Sequence, residues 1–221
     1  MGDLDLSSLI ASLTGPDPNT RKAAADQLGM LATDEACHAL LDVLSNPLED
    51  VRVCAAEALS HCKGDAAVST LADLLRTDQS TGVRQCAARS LGAIECVEGV
   101  EALIDGLVDS DAKVCRAAAR SLGQIGDARA TPNLVKLLTH DDPVIRQVSA
   151  IALGEIRHIS SVPALIEALS DQMWMVRQAV AQALGQIGDK SAAPSLSNLL
   201  QDSNHSVRMA AAEALKKLSL D

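Results

Sequence analysis

The chain has 221 residues, a formal net charge of -10 from 19 Lys+Arg against 29 Asp+Glu, one Trp and neither Phe nor Tyr. The acid surplus argues against a general nucleic-acid binder, whose affinity rests on neutralising phosphates, and no apolar run approaches the roughly 18 to 20 residues that span a bilayer. The acidic opening lacks the cationic-then-apolar form of a signal peptide, Leu6 fails the myristoylation pattern, and the six cysteines read as free thiols of a reducing cytoplasm.

Taken in chain order, the sequence repeats itself. Long helices are expected to begin near 20, 51, 83, 114, 145, 176 and 207, opened by Thr20-Arg21, Val51-Arg52, Val83-Arg84, Val114-Cys115, Ile145-Arg146, Val176-Arg177 and Val207-Arg208. Seven units of 31 residues fill 217 of the 221, which predicts a single domain over 1–221. Each opening leads into a run of the form x-Ala-Ala-Ala-x-x-Leu-Gly, as in Gln85–Gly92, Arg116–Gly123 and Gln178–Gly185. Small and apolar residues recur there at the helical period. Gly126 and Gly188 are placed to close their helices in the left-handed conformation. A shorter helix follows, with Pro132, Pro163 or Pro194 in its first turn, where the missing N–H costs nothing. Its stripe is Leu134/Leu137/Leu138, Leu165/Ile166/Leu169 or Leu196/Leu199/Leu200. The first leucine of each stripe follows the leucine of Leu-Gly by 12 residues in every copy, so the units can stack in register. A stacked unit contacts only its neighbours, and Ala/Leu surfaces let helices approach to roughly 8–10 Å, so the missing aromatic core is accounted for.

The pattern resembles HEAT repeats, in particular the short HEAT-like repeats named for phycobilin (PBS) lyases. The resemblance is carried by the Asp-x(5)-Arg pairing, the Val-Arg-x-Ala-Ala-Ala run and the Leu-Gly-x-Ile-Gly-Asp turns of Leu122–Asp127 and Leu184–Asp189. It implies an all-α fold, an alpha-alpha superhelix or armadillo-like helical solenoid of about seven two-helix repeats, with the long second helices lining a concave face. It also implies a ladder between turn acids and helix arginines. The acid or amide is present as Asn46, Asp78, Asp109, Asp171 and Asp202; Gly15 and His140 depart from it, and Cys115 replaces an arginine. The ladder is expected to be weakest at those three positions.

Outward positions of the long helices then stand out. Arg89, Arg116 and Arg120 are expected on one surface, with Gln85 beside them and Gln124, Gln147, Gln178, Gln182 and Gln186 continuing the row. Residues 1–110 hold 7 Lys+Arg and 18 Asp+Glu, whereas 111–221 hold 12 and 11, so this patch sits in the less acidic half. Clustered arginines on a concave surface steer anionic groups, and glutamine both donates and accepts. Trp174, within Met173-Trp174-Met175, has two readings: a partner anchor, or a hydrophobic staple ahead of the Val176 helix.

Cys54 and Cys86 occupy equivalent positions one stack spacing apart, too far for a disulfide or shared metal ligation. Cys37, Cys62 and Cys96 fall at one edge with His38 and His61, where a local metal site is conceivable. No nucleophile–base pair or phosphate loop is visible, and the histidines lack the His-Glu pairs of HEAT-like deoxyhypusine hydroxylases. The expectation is a non-catalytic, cytoplasmic protein-binding scaffold without cofactor, its partner a protein presenting acidic groups to the concave face, with no nucleic acid and no membrane. Two alternatives accompany it: a phycobilin lyase subunit or phycobilisome-related chaperone, with bilin propionates on the basic residues, and a metal or iron–sulfur adaptor using the cysteines of the first half.

Overall fold

A computed structural model of the chain describes residues 5–220. Fourteen α-helices lie among the described residues: α1 (Leu6–Ser12), α2 (Pro18–Leu31), α3 (Asp34–Asp42), α4 (Glu49–Ala58), α5 (Asp65–Thr77), α6 (Thr81–Ile94), α7 (Val100–Gly106), α8 (Ala112–Ile125), α9 (Thr131–Leu137), α10 (Pro143–Ile156), α11 (Val162–Ala168), α12 (Trp174–Ile187), α13 (Ala193–Asn198) and α14 (His205–Leu220). They pair along the chain as an all-α solenoid of two-helix repeats, with short and long helices alternating except that α5 exceeds α4.

Each long helix starts two residues ahead of its Val-Arg opening, and at α2, α6, α8 and α10 the side chain of the residue just before that start caps it; Leu48 before α4 and Met173 before α12 offer no such cap. Asp17, Ser80, Asp111 and Asp142 accept a backbone N–H from two or three residues on, at 2.8, 3.3, 2.8 and 2.8 Å. Such caps satisfy donors that have no intrahelical partner. The expected C-caps form at Gly126 (φ 76°) and Gly188 (φ 84°). Elsewhere the same left-handed position is held by Ala32, Glu95 and Arg157, at φ 47°, 57° and 56°. A Cβ is strained in that conformation, by about 1 kcal/mol or more. Exposed Arg157 donates its backbone N–H to the Leu153 carbonyl, a bond glycine keeps. Arg157→Gly is therefore expected to stabilise the protein by about 1 kcal/mol in urea denaturation; a loss of stability would show that the arginine side chain outweighs the strain.

By internal packing the chain falls into two compact units, 1–106 and 107–221. In the first, α2, α4 and α6 stack in sequence, with α1 and α3 on α2 and α5 on α6; in the second, α8, α10, α12 and α14 stack in sequence, with α9, α11 and α13 each on the long helix that follows it. The leucine register holds throughout. Leu28/Leu40, Leu59/Leu71, Leu91/Leu103, Leu122/Leu134, Leu153/Leu165 and Leu184/Leu196 are all 0 % exposed. Between the long helices the contact surface is alanine and glycine: Ala55, Ala87, Ala118, Ala150, Ala181 and Ala211 have no exposed area. A Cβ added to Gly154 would lie 2.8 Å from the Cα of Ala183, so the glycine of Leu-Gly is what lets α10 and α12 meet backbone to backbone.

The thiols depart from expectation. Cys37 and Cys62 form a disulfide, with Cα atoms 6.0 Å apart, joining the first turns of α3 to the 3-10 segment Leu59–His61 that closes α4. The antiparallel pairing of α3 and α4 brings the two ends to one edge, so the reading of all six cysteines as free is corrected for this pair. Cys54, Cys86, Cys96 and Cys115 are free. Among the described residues no three His, Cys, Asp or Glu side chains converge as a metal-binding group, and none of the helices is long and apolar enough to cross a membrane.

Candidate partner-binding surface

The ladder determines which arginines are committed to the scaffold. In the second unit Arg146 donates from Nε and Nη2 to both carboxylate oxygens of Asp171 at 2.7 and 3.0 Å, and Arg177 does the same to Asp202 at 2.7 and 2.9 Å. In the first, Arg52 grips Asp78 at 2.8 and 3.0 Å. The remaining Nη1 of each donates to the backbone carbonyl six residues earlier, at Asn46, His140 and Asp171. Each turn carboxylate also accepts the N–H two residues on, as Asp171 does from Met173 at 2.8 Å. Every rung thus satisfies a guanidinium, a carboxylate and a turn together. Burial raises the Asp78 and Asp171 carboxyls, but the hydrogen bond from Arg52 or Arg146, that from the Ser80 or Met173 N–H and the charges of the neighbouring guanidinium groups together outweigh it and hold both below the ordinary 3.8; at Asp202 the hydrogen bond from Arg177 is the largest influence and lowers it likewise.

Two expectations about the ladder change. Gly15 is not a weak position, since its carbonyl accepts from Arg21 Nη1 at 2.6 Å. What is missing is a carboxylate at Asn46, and Asp50, in the first turn of α4, takes its place on Arg21. Cys115 and His140 prove to be one gap rather than two, because the guanidinium absent at 115 would have met the carboxylate absent at 140. Cys115 donates instead to the Leu107 carbonyl at 3.0 Å, and His140 Nδ1 accepts the Asp142 N–H at 3.0 Å, keeping the turn.

Arg116 and Arg120 stand outside this scheme. They lie one turn apart on α8, with exposed Gln124 a further turn on, along the helical i, i+4, i+8 line. Among the described residues neither arginine forms an ion pair; Arg116 Nε donates to the Ala112 carbonyl of its own helix at 3.2 Å. Burial raises the carboxyl of Glu155 on α10, and the charge of Arg120 offsets part of that rise. The matching positions are half-buried Gln147 on α10 and Gln178 and exposed Gln182 on α12. Gln178 and Gln182 line a groove of about 620 Å³ together with His205, Met209 and Glu213 of α14. In the first unit, half-buried Gln85 and exposed Arg89 sit one turn apart on α6, and Lys22 of α2 pairs with Glu57 of α4 at 3.2 Å.

Trp174 is the first residue of α12, following Met173 as N-cap. A hydrophobic staple joins the residue before the cap to the fourth helical residue. Those are Gln172 and Arg177 here, so the staple reading is corrected. Trp174 is 42 % exposed, and Met209 on α14 and Ile151 on α10 are 58 % and 39 % exposed.

Helix pairs in register, leucines at constant spacing and arginine–aspartate rungs define a class, and the family comparison agrees with it. The chain belongs to the family of HEAT repeats, whose model matches residues 6–92, 73–154 and 133–216. Among solved structures, one engineered protein is 27% identical with a TM-score of 0.64, covering 97% of this chain and 68% of that one. A second engineered protein is 28% identical with a TM-score of 0.57, covering 100% of both chains. The complex of CpcE and CpcF of phycocyanin lyase from Nostoc sp. PCC7120 is similar in fold, at 24% identity and a TM-score of 0.59 over 99% of this chain and 96% of that one. Comparison with curated proteins finds no match.

Proposed function

We propose that this chain is a non-catalytic scaffold that binds another protein on its long-helix face. The observation that carries this reading is the division of labour among the arginines: Arg52, Arg146 and Arg177 are held in rungs, while Arg116 and Arg120 form no ion pair among the described residues. A forked guanidinium on a solvated helix is suited to a partner's carboxylate. Gln124, Gln147, Gln178 and Gln182 would meet peptide amides. Trp174 and Met209 supply the apolar contacts that dominate interface energies. Gln85 and Arg89 offer the same chemistry on α6. The partner is then an acidic protein segment with apolar anchors.

The double variant Arg116→Glu, Arg120→Glu tests this. Partner capture is expected to fall at least about tenfold, with the helical circular dichroism unchanged; undiminished capture refutes the surface. The fold likeness to phycocyanin lyase supports a second reading, in which the same arginines hold bilin propionates. The single aromatic side chain, Trp174, weighs against it. A bilin absorbance band on mixing that is lost in the double variant would favour this second reading over the first.

A further inference from the structure

The cysteines divide into two chemical kinds. Cys86 and Cys115 are buried within the helix stack, and burial pushes their thiols up to about 11, leaving almost no thiolate at neutral pH. Burial raises Cys54 as well. Cys37 and Cys62 instead sit where elements end. Cys37 lies four residues past the Thr33 cap of α3 and is only half-buried, while Cys62 is 3 % exposed and follows the 3-10 segment Leu59–His61. One sulfur of the bridge therefore belongs to an accessible residue and the other to an enclosed one. The site is also coupled to packing: a Cβ on Gly29 would lie 2.8 Å from the Ala58 carbonyl and 3.1 Å from the His61 ring, so the last turn of α2 rests on the segment that the bridge anchors. That turn carries Met30 and Leu31, 77 % and 51 % exposed.

From this geometry we infer that Cys37–Cys62 is a reversible thiol–disulfide exchange site, taking a small thiol such as glutathione as its reactant and setting how firmly the α2–α4 edge of the first unit is held. The thiolate of the small thiol attacks the Cys37 sulfur, the Cys37–Cys62 bond breaks, and the Cys62 sulfur leaves as a thiolate that takes up a proton. A second small thiolate attacks the mixed disulfide at its own half, releasing Cys37. The protein gains two electrons and two protons, and the small thiol is oxidised to its disulfide. Re-oxidation runs the same exchange backwards. With the bridge open, the Cys62 and Cys37 N–H groups, bonded to the Leu59 and Thr33 carbonyls at 2.9 Å in each case, lose the covalent restraint on their turns.

The test is to equilibrate the folded chain in glutathione buffers from oxidising to reducing and follow the pair by alkylation and intact mass. Amide exchange is measured in parallel. The pair is expected to titrate between bridged and dithiol forms with circular dichroism constant and Cys86 and Cys115 unalkylated. Exchange at Cys37, Cys62 and the last turn of α2 should speed up about tenfold on reduction while α12 is unchanged. Cys37→Ser should exchange like the reduced protein at every glutathione ratio. A bridge that reduces only when the protein unfolds, or exchange rates indifferent to reduction, would overturn the inference.

Discussion

Asp171→Ala is expected to destabilise the protein by about 3 kcal/mol, the lower end of the cost of breaking a buried ion pair by removing one partner. The carboxylate accepts two hydrogen bonds from Arg146 and one from the Met173 N–H, and the side chains of Arg146 and Asp171 are 15% and 10% exposed. Removing it leaves a mostly enclosed guanidinium with only backbone carbonyls to bond. His140→Ala, one repeat earlier, supplies the comparison, because that position has no arginine to satisfy. It should cost only the turn bond to Asp142, under about 1 kcal/mol. Acid gives a second check with a definite sign. The folded carboxyls of Asp78, Asp171 and Asp202 lie below the ordinary 3.8, so the stability they confer is complete above that value and is lost as pH falls through the lower folded values. The difference between wild type and Asp171→Ala in urea denaturation should therefore shrink as pH drops below the ordinary carboxylate range. A difference independent of pH would mean that the rung is not what the substitution removes.

Gly154→Ala is the second large effect, with an expected loss of about 2 kcal/mol. Helix propensity alone would favour alanine by up to about 1 kcal/mol. Opposing it, the new Cβ meets the Cα and Cβ of Ala183 at 2.8 and 2.9 Å as well as the Gln186 side-chain oxygen. The first two belong to a helix packed on its far side against α14, so α12 cannot retreat without opening another seam. Overpacking costs about 1–3 kcal/mol, and the upper end applies where the clash is with backbone, which leaves the net loss of about 2 kcal/mol after propensity is returned. Thermal or urea unfolding of the single variant decides the sign, and a stabilised protein would show that the helices separate more freely than their packing indicates.

The periodic part of the structure was legible because the same constraint recurs in each repeat. The paired leucines 12 residues apart, the first-turn prolines and the left-handed glycines each follow from one local rule. What escaped depends on contacts between specific copies. Asp50 replaces a carboxylate at Asn46 only because α4 begins at Glu49 and brings its first turn to Arg21. Cys37 and Cys62 were placed at one edge by antiparallel pairing, but composition governed the expectation that they were free, and composition carries no geometry. The Val176 opening suggests a staple at Trp174, but α12 starts two residues earlier and puts Trp174 one position inside the cap, out of staple register. Of the surface positions, Arg116, Arg120, Gln124 and Gln182 are legible from helical period alone, whereas the lack of an ion pair at Arg116 and Arg120 among the described residues depends on where individual side chains settle.

On the proposed reading, the long-helix face of the second unit receives a protein partner. Site-specific photo-crosslinking in native lysate probes that face, with the crosslinking side chain at Gln182 on α12 or at exposed Glu167 on the short helix α11. A discrete protein adduct is expected from position 182, disappearing in the Arg116→Glu, Arg120→Glu background, and none from 167. An adduct formed only from 167, or one from 182 that survives both charge reversals, would contradict that reading.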